Sequence, residues 1–534
     1  MKLLLSVLAT VFLTIASATD PYPRNEALDI QHYQFRIELN DSTNLVAGEA
    51  SITVLFKKPV TSFEFDLVEK GIKGFGMTVT EVRLGGRNLP FTHQQERLKI
   101  LLDTPSETGT ISTFVIRYAG IPEDGLIISN NKFGDRTFFG DNWPDRGHHW
   151  LPCIDHPSDK ATVEFVIVAP DKYDVVASGK RKEETSLTRN QKLTRYIESI
   201  PIAVKVMAIG VARFATEETA QVDHIPQSTW VYPQNRDAGF HDFAVGTKIF
   251  EYFQRNIGPY SYEKLAHVQS KTRGGGLENA GNIFYTESSV TGKGLHEGLI
   301  AHETAHQWFG NSVTENDWHH VWLSEGFATY FAALYTEHAH GQEAFVAEMN
   351  KSRATVVAYY RTNPNPVIDT TIVEISKVLN TNTYPKAGWV LHMLRHEIGD
   401  ESFWKGIQEY YLTFKDKHVM TRDFQASMEK ASRKNLGQFF HQWLYIGGHP
   451  QLEFNWKLSR KEKGIVSLTI SQKQQRPFQF PLDVHLVYPD GSSEQKTVML
   501  SKGTEQIMLD VKGLPKEVLL DPGSWLLFEV KTKK

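Results

Sequence analysis

From about residue 20 to residue 214, apolar and polar positions alternate in short runs such as His32-Tyr33-Gln34-Phe35-Arg36-Ile37, broken by Gly, Pro, Asn and Asp. Period-two alternation sends successive side chains to opposite faces of a strand, so this stretch predicts an antiparallel β domain. Beyond Asp237 the period changes. Phe240, Phe243, Ala244, Thr247, Phe250 and Phe253 recur at steps of mostly three residues, the spacing of one amphipathic helix face. The change of period predicts a domain boundary near Phe214. Helical patterning continues to about Leu444, with helices expected over 294–309, 325–338, 342–360 and 386–398 between Gly, Asn and Pro breakers. After Gly447-Gly448-His449-Pro450, alternation returns in Leu452-Glu453-Phe454-Asn455-Trp456 and in Leu482-Asp483-Val484-His485-Leu486, and Pro489-Asp490-Gly491 reads as a turn between two strands. The expected organisation is a β region at 19–213, a helix-rich middle at 214–446 and a second β region at 447–534.

At 534 residues, with 40% hydrophobic and 22% charged positions, the chain is too long for one small domain and rich enough in apolar residues to bury several cores. The 58 Lys and Arg against 62 Asp and Glu leave a net charge of −4, which disfavours nucleic acid as a partner. Met1-Lys2, the apolar run from Leu3 to Ala16 and the small triplet Ala16-Ser17-Ala18 have the three parts of a secretory signal peptide. The run is shorter than the roughly 20 residues that span a bilayer, so cleavage after Ala18 is expected. The mature chain is then exported, periplasmic or secreted, with no stable membrane span. Cys153 is the single cysteine, which excludes an intramolecular disulfide.

The strongest chemical signal is His302-Glu303-Thr304-Ala305-His306, in a segment patterned as helix. Residues four apart on a helix lie about 40° from each other, so both imidazoles can face one metal ion. Glu303, about 100° away, reaches a water beside the metal instead. A catalytic zinc commonly takes three protein ligands and leaves the fourth position open. Glu325, in Trp322-Leu323-Ser324-Glu325-Gly326-Phe327-Ala328, is the best third ligand, with Ser324 expected to cap the helix that carries it.

These residues resemble a known family. His302-Glu303-x-x-His306, followed by eighteen residues and Glu325, is similar to the gluzincin zinc peptidases, and Gln307-Trp308-Phe309-Gly310-Asn311 resembles the aminopeptidase N and leukotriene epoxide hydrolase family. Gly274-Gly275-Gly276-Leu277-Glu278-Asn279 is similar to that family's Gly-x-Met-Glu-Asn exopeptidase segment, with Leu277 in place of Met. Trp150-Leu151-Pro152-Cys153-Ile154-Asp155-His156-Pro157 matches its Pro-Cys-x-Asp segment, which makes Cys153 a packing residue. The resemblance implies a multidomain α+β chain: an N-terminal antiparallel β saddle domain, a thermolysin-like α/β catalytic domain and a C-terminal β-sandwich. It also implies a short form, without the helical domain that closes over the site in larger relatives.

By the same resemblance, one zinc ion is held by His302, His306 and Glu325, Glu303 is the general base, and Tyr384 stabilises the oxyanion. A fixed carboxylate at Glu278 can pair with a free α-ammonium, which only a peptide N-terminus supplies, so the implied activity is an aminopeptidase acting on peptides with a free N-terminus. Gly275, Gly276 and Asn279 accompany Glu278 in substrate binding, the glycines letting backbone groups approach an extended substrate. Epoxide hydrolysis and a catalytically silent, zinc-containing peptide-binding protein stand as alternatives. Three positions depart from the family pattern: Trp143 where many relatives carry a Gln or Glu that helps hold the amine, with Asp141 or Asn142 as possible substitutes; Ser324 where Asn is usual; and Ala332 where relatives carry a Glu.

Overall fold

In the strand Leu28–Glu38, burial switches from the even positions Leu28 and Ile30 to the odd positions Tyr33, Phe35 and Ile37. A bulge between Ile30 and His32 makes the switch, because one extra residue turns every later side chain to the other face. The computed structural model describes residues 20–459 and 464–531, and the expected signal peptide at 1–18 lies outside them. Leu28–Glu38 sits inside an eight-stranded sheet with the order Lys180–Leu187, Gln191–Ala203, Lys160–Pro170, Leu28–Glu38, Val46–Phe56, Ile111–Ile121, Gly76–Leu84, Arg87–Asn88. The sheet is not wholly antiparallel as alternation alone suggested, since Leu28–Glu38 and Lys160–Pro170 run parallel. A four-stranded sheet including Arg136–Gly140 and Ile209–Ala212, and a three-stranded one including Ser62–Asp66, complete this β-rich part. Cys153 is buried and unpaired, with its backbone bridged to Asp66.

A second, mixed sheet follows, in the order Ala215–Val222, Ile225–Val231, Leu265–Ser270, Asn282–Thr286, Gly276–Leu277. Its inner strands Leu265–Ser270 and Asn282–Thr286 are covered on both faces, so they carry no alternation for a sequence reading to find. Gly276–Leu277 is its edge strand. The helix face read from Phe240 to Phe253 belongs to two helices, α1 (Arg236–Phe243) and α2 (Gly246–Asn256).

Seven more helices are described: α3 (Glu297–His306), α4 (Trp322–His340), α5 (Gln342–Tyr360), α6 (Ala387–Ile398), α7 (Asp400–Phe414), α8 (Thr421–Ser432) and α9 (Gly437–Leu444). Helix α4 starts three residues before the expected start at 325. Asp317 accepts the His319 N–H at 3.0 Å and begins a tight turn over Trp318–His320 that runs straight into α4. Ser324 therefore lies inside the first turn and does not cap the helix. Beyond α9 the chain forms two small sheets, one with Gln451–Leu458 and Ile465–Gln472, the other with Phe480–Val487 and Ser493–Leu500. Leu452, Val466, Leu468, Leu482, Val484 and Leu486 are buried among them.

Candidate metal centre and substrate cleft

Helices α3 and α4 bring three ligand atoms together. The Nε2 atoms of His302 and His306 are 3.1 Å apart, and Glu325 Oε2 lies 3.5 Å and 3.2 Å from them. Tetrahedral ligands at zinc bond lengths of about 2.0–2.1 Å are separated by about 3.3–3.4 Å, so the three atoms already stand at the edge lengths of a zinc site. Burial works to raise the Glu325 carboxyl, but the two imidazoles override it and hold the group well below the usual carboxylate range. Burial likewise works to lower His306, yet Glu325 and Glu278 push it up to about 10. A concentration of negative charge this strong on one imidazole suits a cation.

The orientation of His306 is set from behind. Its Nδ1 lies 3.1 Å from the Phe309 carbonyl oxygen and 3.1 Å from Ser324 Oγ, so Nδ1–H donates backwards and Nε2 is left to face the site. Gly310 makes this possible: its φ is +112°, and a Cβ there would stand 2.2 Å from Ser324 Oγ. The serine that replaces the family's Asn is thus an orienting partner of a ligand histidine, a role the sequence pattern did not signal.

These groups open onto a cleft of about 700 Å³ whose lining includes Glu278, His302, Glu303, His306, Glu325 and Tyr384. Glu303 is buried, and burial, aided by the Glu278 and Glu325 carboxylates against the opposing pull of His306, pushes its carboxyl well above the ordinary range. The backbone of Gly276 leaves the space this carboxylate occupies, since a Cβ at Gly276 would lie 2.4 Å from Glu303 Cδ and Oε1. Glu278 is 5% exposed, and its Oε1 has no hydrogen-bond partner although it lines the cleft. Gly275 also lines the cleft, and its carbonyl accepts the Thr286 N–H at 3.1 Å. Asn279 is fully buried with its side-chain amide unpaired, and it does not line the cleft.

Two residues after His306 hold the Glu278 segment in place. Gln307 Nε2 donates to the carbonyls of Glu278 at 3.0 Å and Asn279 at 3.3 Å, its Oε1 accepts the Gly281 N–H at 2.9 Å, and Asn311 Nδ2 also donates to the Glu278 carbonyl. The histidine helix and the glycine-rich edge strand are one unit for this reason. Tyr384 sits in a wide turn, Asn382–Lys386, that leads into α6, and its ring stacks on His302 with centroids 6.1 Å apart. Burial first, then the three carboxylates around it, push its phenol well above the usual tyrosine range, so it remains protonated and able to donate.

The departures from the family pattern are also resolved. Trp143 lines the cleft and is backed by Lys205, whose ammonium lies 5.4 Å from the ring centroids of both Trp143 and Trp318 and pairs with the buried Glu315. Asn142 cannot take over amine binding, because its amide donates to the Val204 and Met207 carbonyls and accepts the Trp150 indole N–H. Asp141 lines the cleft but is engaged by Arg146, Thr272 and the Arg273 N–H. Glu278, by contrast with Asp141 and Asn142, keeps an oxygen without a hydrogen-bond partner. Ala332 is buried in α4 and adds no polar group.

Residues 30–203 match the Peptidase M1 N-terminal domain and residues 241–443 match the Peptidase family M1 domain. Glutamyl aminopeptidase of Rattus norvegicus is 26% identical over 387 residues, covering 69% of this chain and 41% of its own length. The Homo sapiens glutamyl aminopeptidase is 28% identical, covering 66% and 39%. A probable aminopeptidase 2 of Sulfurisphaera tokodaii is 27% identical, covering 70% and 49%. The chain thus spans about half the length of these relatives or less. A crystal structure of an M1 zinc metallopeptidase mutant from Deinococcus radiodurans shares the fold, with a TM-score of 0.67 and 23% identity over 80% of this chain and 96% of that one.

Proposed function

We propose that this chain, which belongs to peptidase family M1, is a zinc-dependent aminopeptidase that removes the N-terminal residue from peptides. The observation that carries the reading is the pairing of a zinc-sized triangle of His302, His306 and Glu325 atoms with an unpartnered, buried Glu278 oxygen in the same cleft. His302, His306 and Glu325 would hold a zinc ion, which would supply a water with a pKa near 7 and a polarised scissile carbonyl.

The chain's own residues do the rest. Glu278 pairs with the substrate α-ammonium and sets the register, so that the first peptide bond falls beside the imidazoles. The edge strand Gly276–Leu277 and the preceding Gly275 offer backbone groups to an extended substrate, in the manner of an added strand. Glu303 accepts the proton of the attacking water and passes it to the leaving nitrogen, a role worth about 10² to 10⁴ in rate. Tyr384 donates its phenolic hydrogen to the oxygen that becomes negative as the carbonyl turns tetrahedral. Nothing in the cleft singles out epoxide hydrolysis, and silent binding leaves Glu303 without a task.

The same reading takes 19–213, 214–446 and 447–534 as three domains, the last a β-sandwich. Export to the periplasm or outside the cell rests on the pattern of residues 1–18. Among the described residues, no helix is long and apolar enough to cross a membrane.

The test pairs a variant with a blocked substrate. Glu303→Gln is expected to keep zinc while turnover of an aminoacyl amide falls at least 10²-fold, and the wild type is expected to leave an N-acetylated peptide intact. Near-normal turnover in zinc-loaded Glu303→Gln, or efficient cleavage of the acetylated peptide, refutes the assignment.

A further inference from the structure

A cavity of about 200 Å³ lies where α6 and α9 meet the C-terminal sheets, and it shares no lining residue with the substrate cleft. Phe439 and Trp443 come from α9, Met393 and His396 from α6, and Trp525 from the chain after the last long strands. The volume exceeds the roughly 150 Å³ in which an apolar cavity takes up benzene. This cavity, however, is not purely apolar.

Three carboxylates line it, and two are already matched. Asp521 accepts the N–H groups of Trp525 at 2.8 Å and Leu526 at 2.9 Å and pairs with Arg353 at 3.0 Å. Glu397 pairs with Lys434 at 3.6 Å. Asp483 is different. Its side chain is 5% exposed, one oxygen accepts from Thr497 Oγ1 at 2.6 Å, and the other faces His396 Nε2 at 3.5 Å, too far for a good hydrogen bond. That second oxygen of Asp483 therefore has no close hydrogen-bond donor, although the side chain is almost wholly removed from solvent. Aromatic rings around such a carboxylate favour a cation that carries its own apolar body.

We propose that this cavity is a second ligand site, for a small primary amine with an aromatic or apolar body, its ammonium on Asp483 and its body among Phe439, Trp443 and Trp525. The site is separate from the peptidase cleft in its residues and does not depend on the assignment of that cleft. Met499, half exposed where the cavity opens, stands at its rim.

The experiment is calorimetric titration of the full chain, as purified, with 2-phenylethylamine at pH 8. Because Glu278 also offers a carboxylate to amines, the Glu278→Gln variant is titrated in parallel. Binding is expected in both proteins, about tenfold or more weaker in Asp483→Asn, which retains the Thr497 hydrogen bond, and equally weak for the uncharged 2-phenylethanol. Met499→Trp, which fills the mouth and leaves Asp483 itself in place, is expected to abolish binding and gives a second variant should Asp483→Asn fail to fold. Unchanged affinity in both Asp483→Asn and Met499→Trp overturns the proposal. So does binding that disappears in Glu278→Gln, or no binding at millimolar amine.

Discussion

Replacing Gly276 with alanine separates two uses of the glycine-rich segment, room for the substrate backbone and room for the Glu303 carboxylate. A Cβ at position 276 stands 2.4 Å from Glu303 Cδ and Oε1 and 2.5 Å from Cγ. Ordinary contact between such atoms begins near 3.4 Å, so the carboxylate must retreat by about 1 Å. A shift of that size in a reacting group costs on the order of 10²-fold in rate, and the crowding itself costs about 1–3 kcal/mol of stability. The expected result is a kcat on an aminoacyl fluorogenic amide reduced about 10²-fold, with zinc content at wild-type level and a smaller change in KM. Gly275→Ala is the control, because its Cβ would meet only the Leu299 side chain, at 3.4 and 3.6 Å, and its kcat is expected within a few-fold of wild type. A Gly276→Ala enzyme with wild-type kcat and full metal content would refute the steric account.

Two further predictions address metal affinity and pH. Ser324→Ala removes the hydroxyl behind His306 Nδ1, and zinc affinity measured against a chelator is expected to fall about 10- to 100-fold while the fold is kept; unchanged affinity would show that the Phe309 carbonyl alone orients the ring. Glu198 is fully buried, and burial, opposed by the Ile200 N–H and Lys264, pushes its carboxyl from an ordinary 4.5 up to about 7. Between those values the native state keeps a proton that the unfolded chain releases, so this group's contribution is full below pH 4.5, declines as pH rises and is lost above pH 7, a total of about 3 kcal/mol. Glu198→Gln is therefore expected to be more stable than wild type at pH 8 and to show a flatter stability profile from pH 5 to 8 in denaturant titrations; parallel profiles would exclude the burial argument.

The triangle of His302, His306 and Glu325 is legible because its information is local. Four residues on a helix place His302 and His306 side by side, and an acidic residue at the start of the next helix completes the triangle. Strands Leu265–Ser270 and Asn282–Thr286 were not legible, because burial on both faces erases the alternation that marks a strand. The helix α4 start was misread for a different reason: Asp317, five residues before Trp322, organises the turn that begins it. What a side chain does across the fold was also hidden. Gln307 and Asn311 clamp the Glu278 backbone from about thirty residues away, and the value of Gly276 lies in an atom of Glu303 that no sequence window contains. The cluster of Lys205, Glu315, Trp143 and Trp318 joins three separate segments of the chain and leaves no periodic trace.

The account rests on one ion shared by two imidazoles and a carboxylate, and diffraction from zinc-loaded crystals at the zinc absorption edge tests it most directly. The account predicts a single strong anomalous peak about 2.0–2.2 Å from His302 Nε2, His306 Nε2 and a Glu325 oxygen, lost in His306→Ala. A peak elsewhere in the chain, or none between those three atoms in fully loaded, active protein, would contradict it.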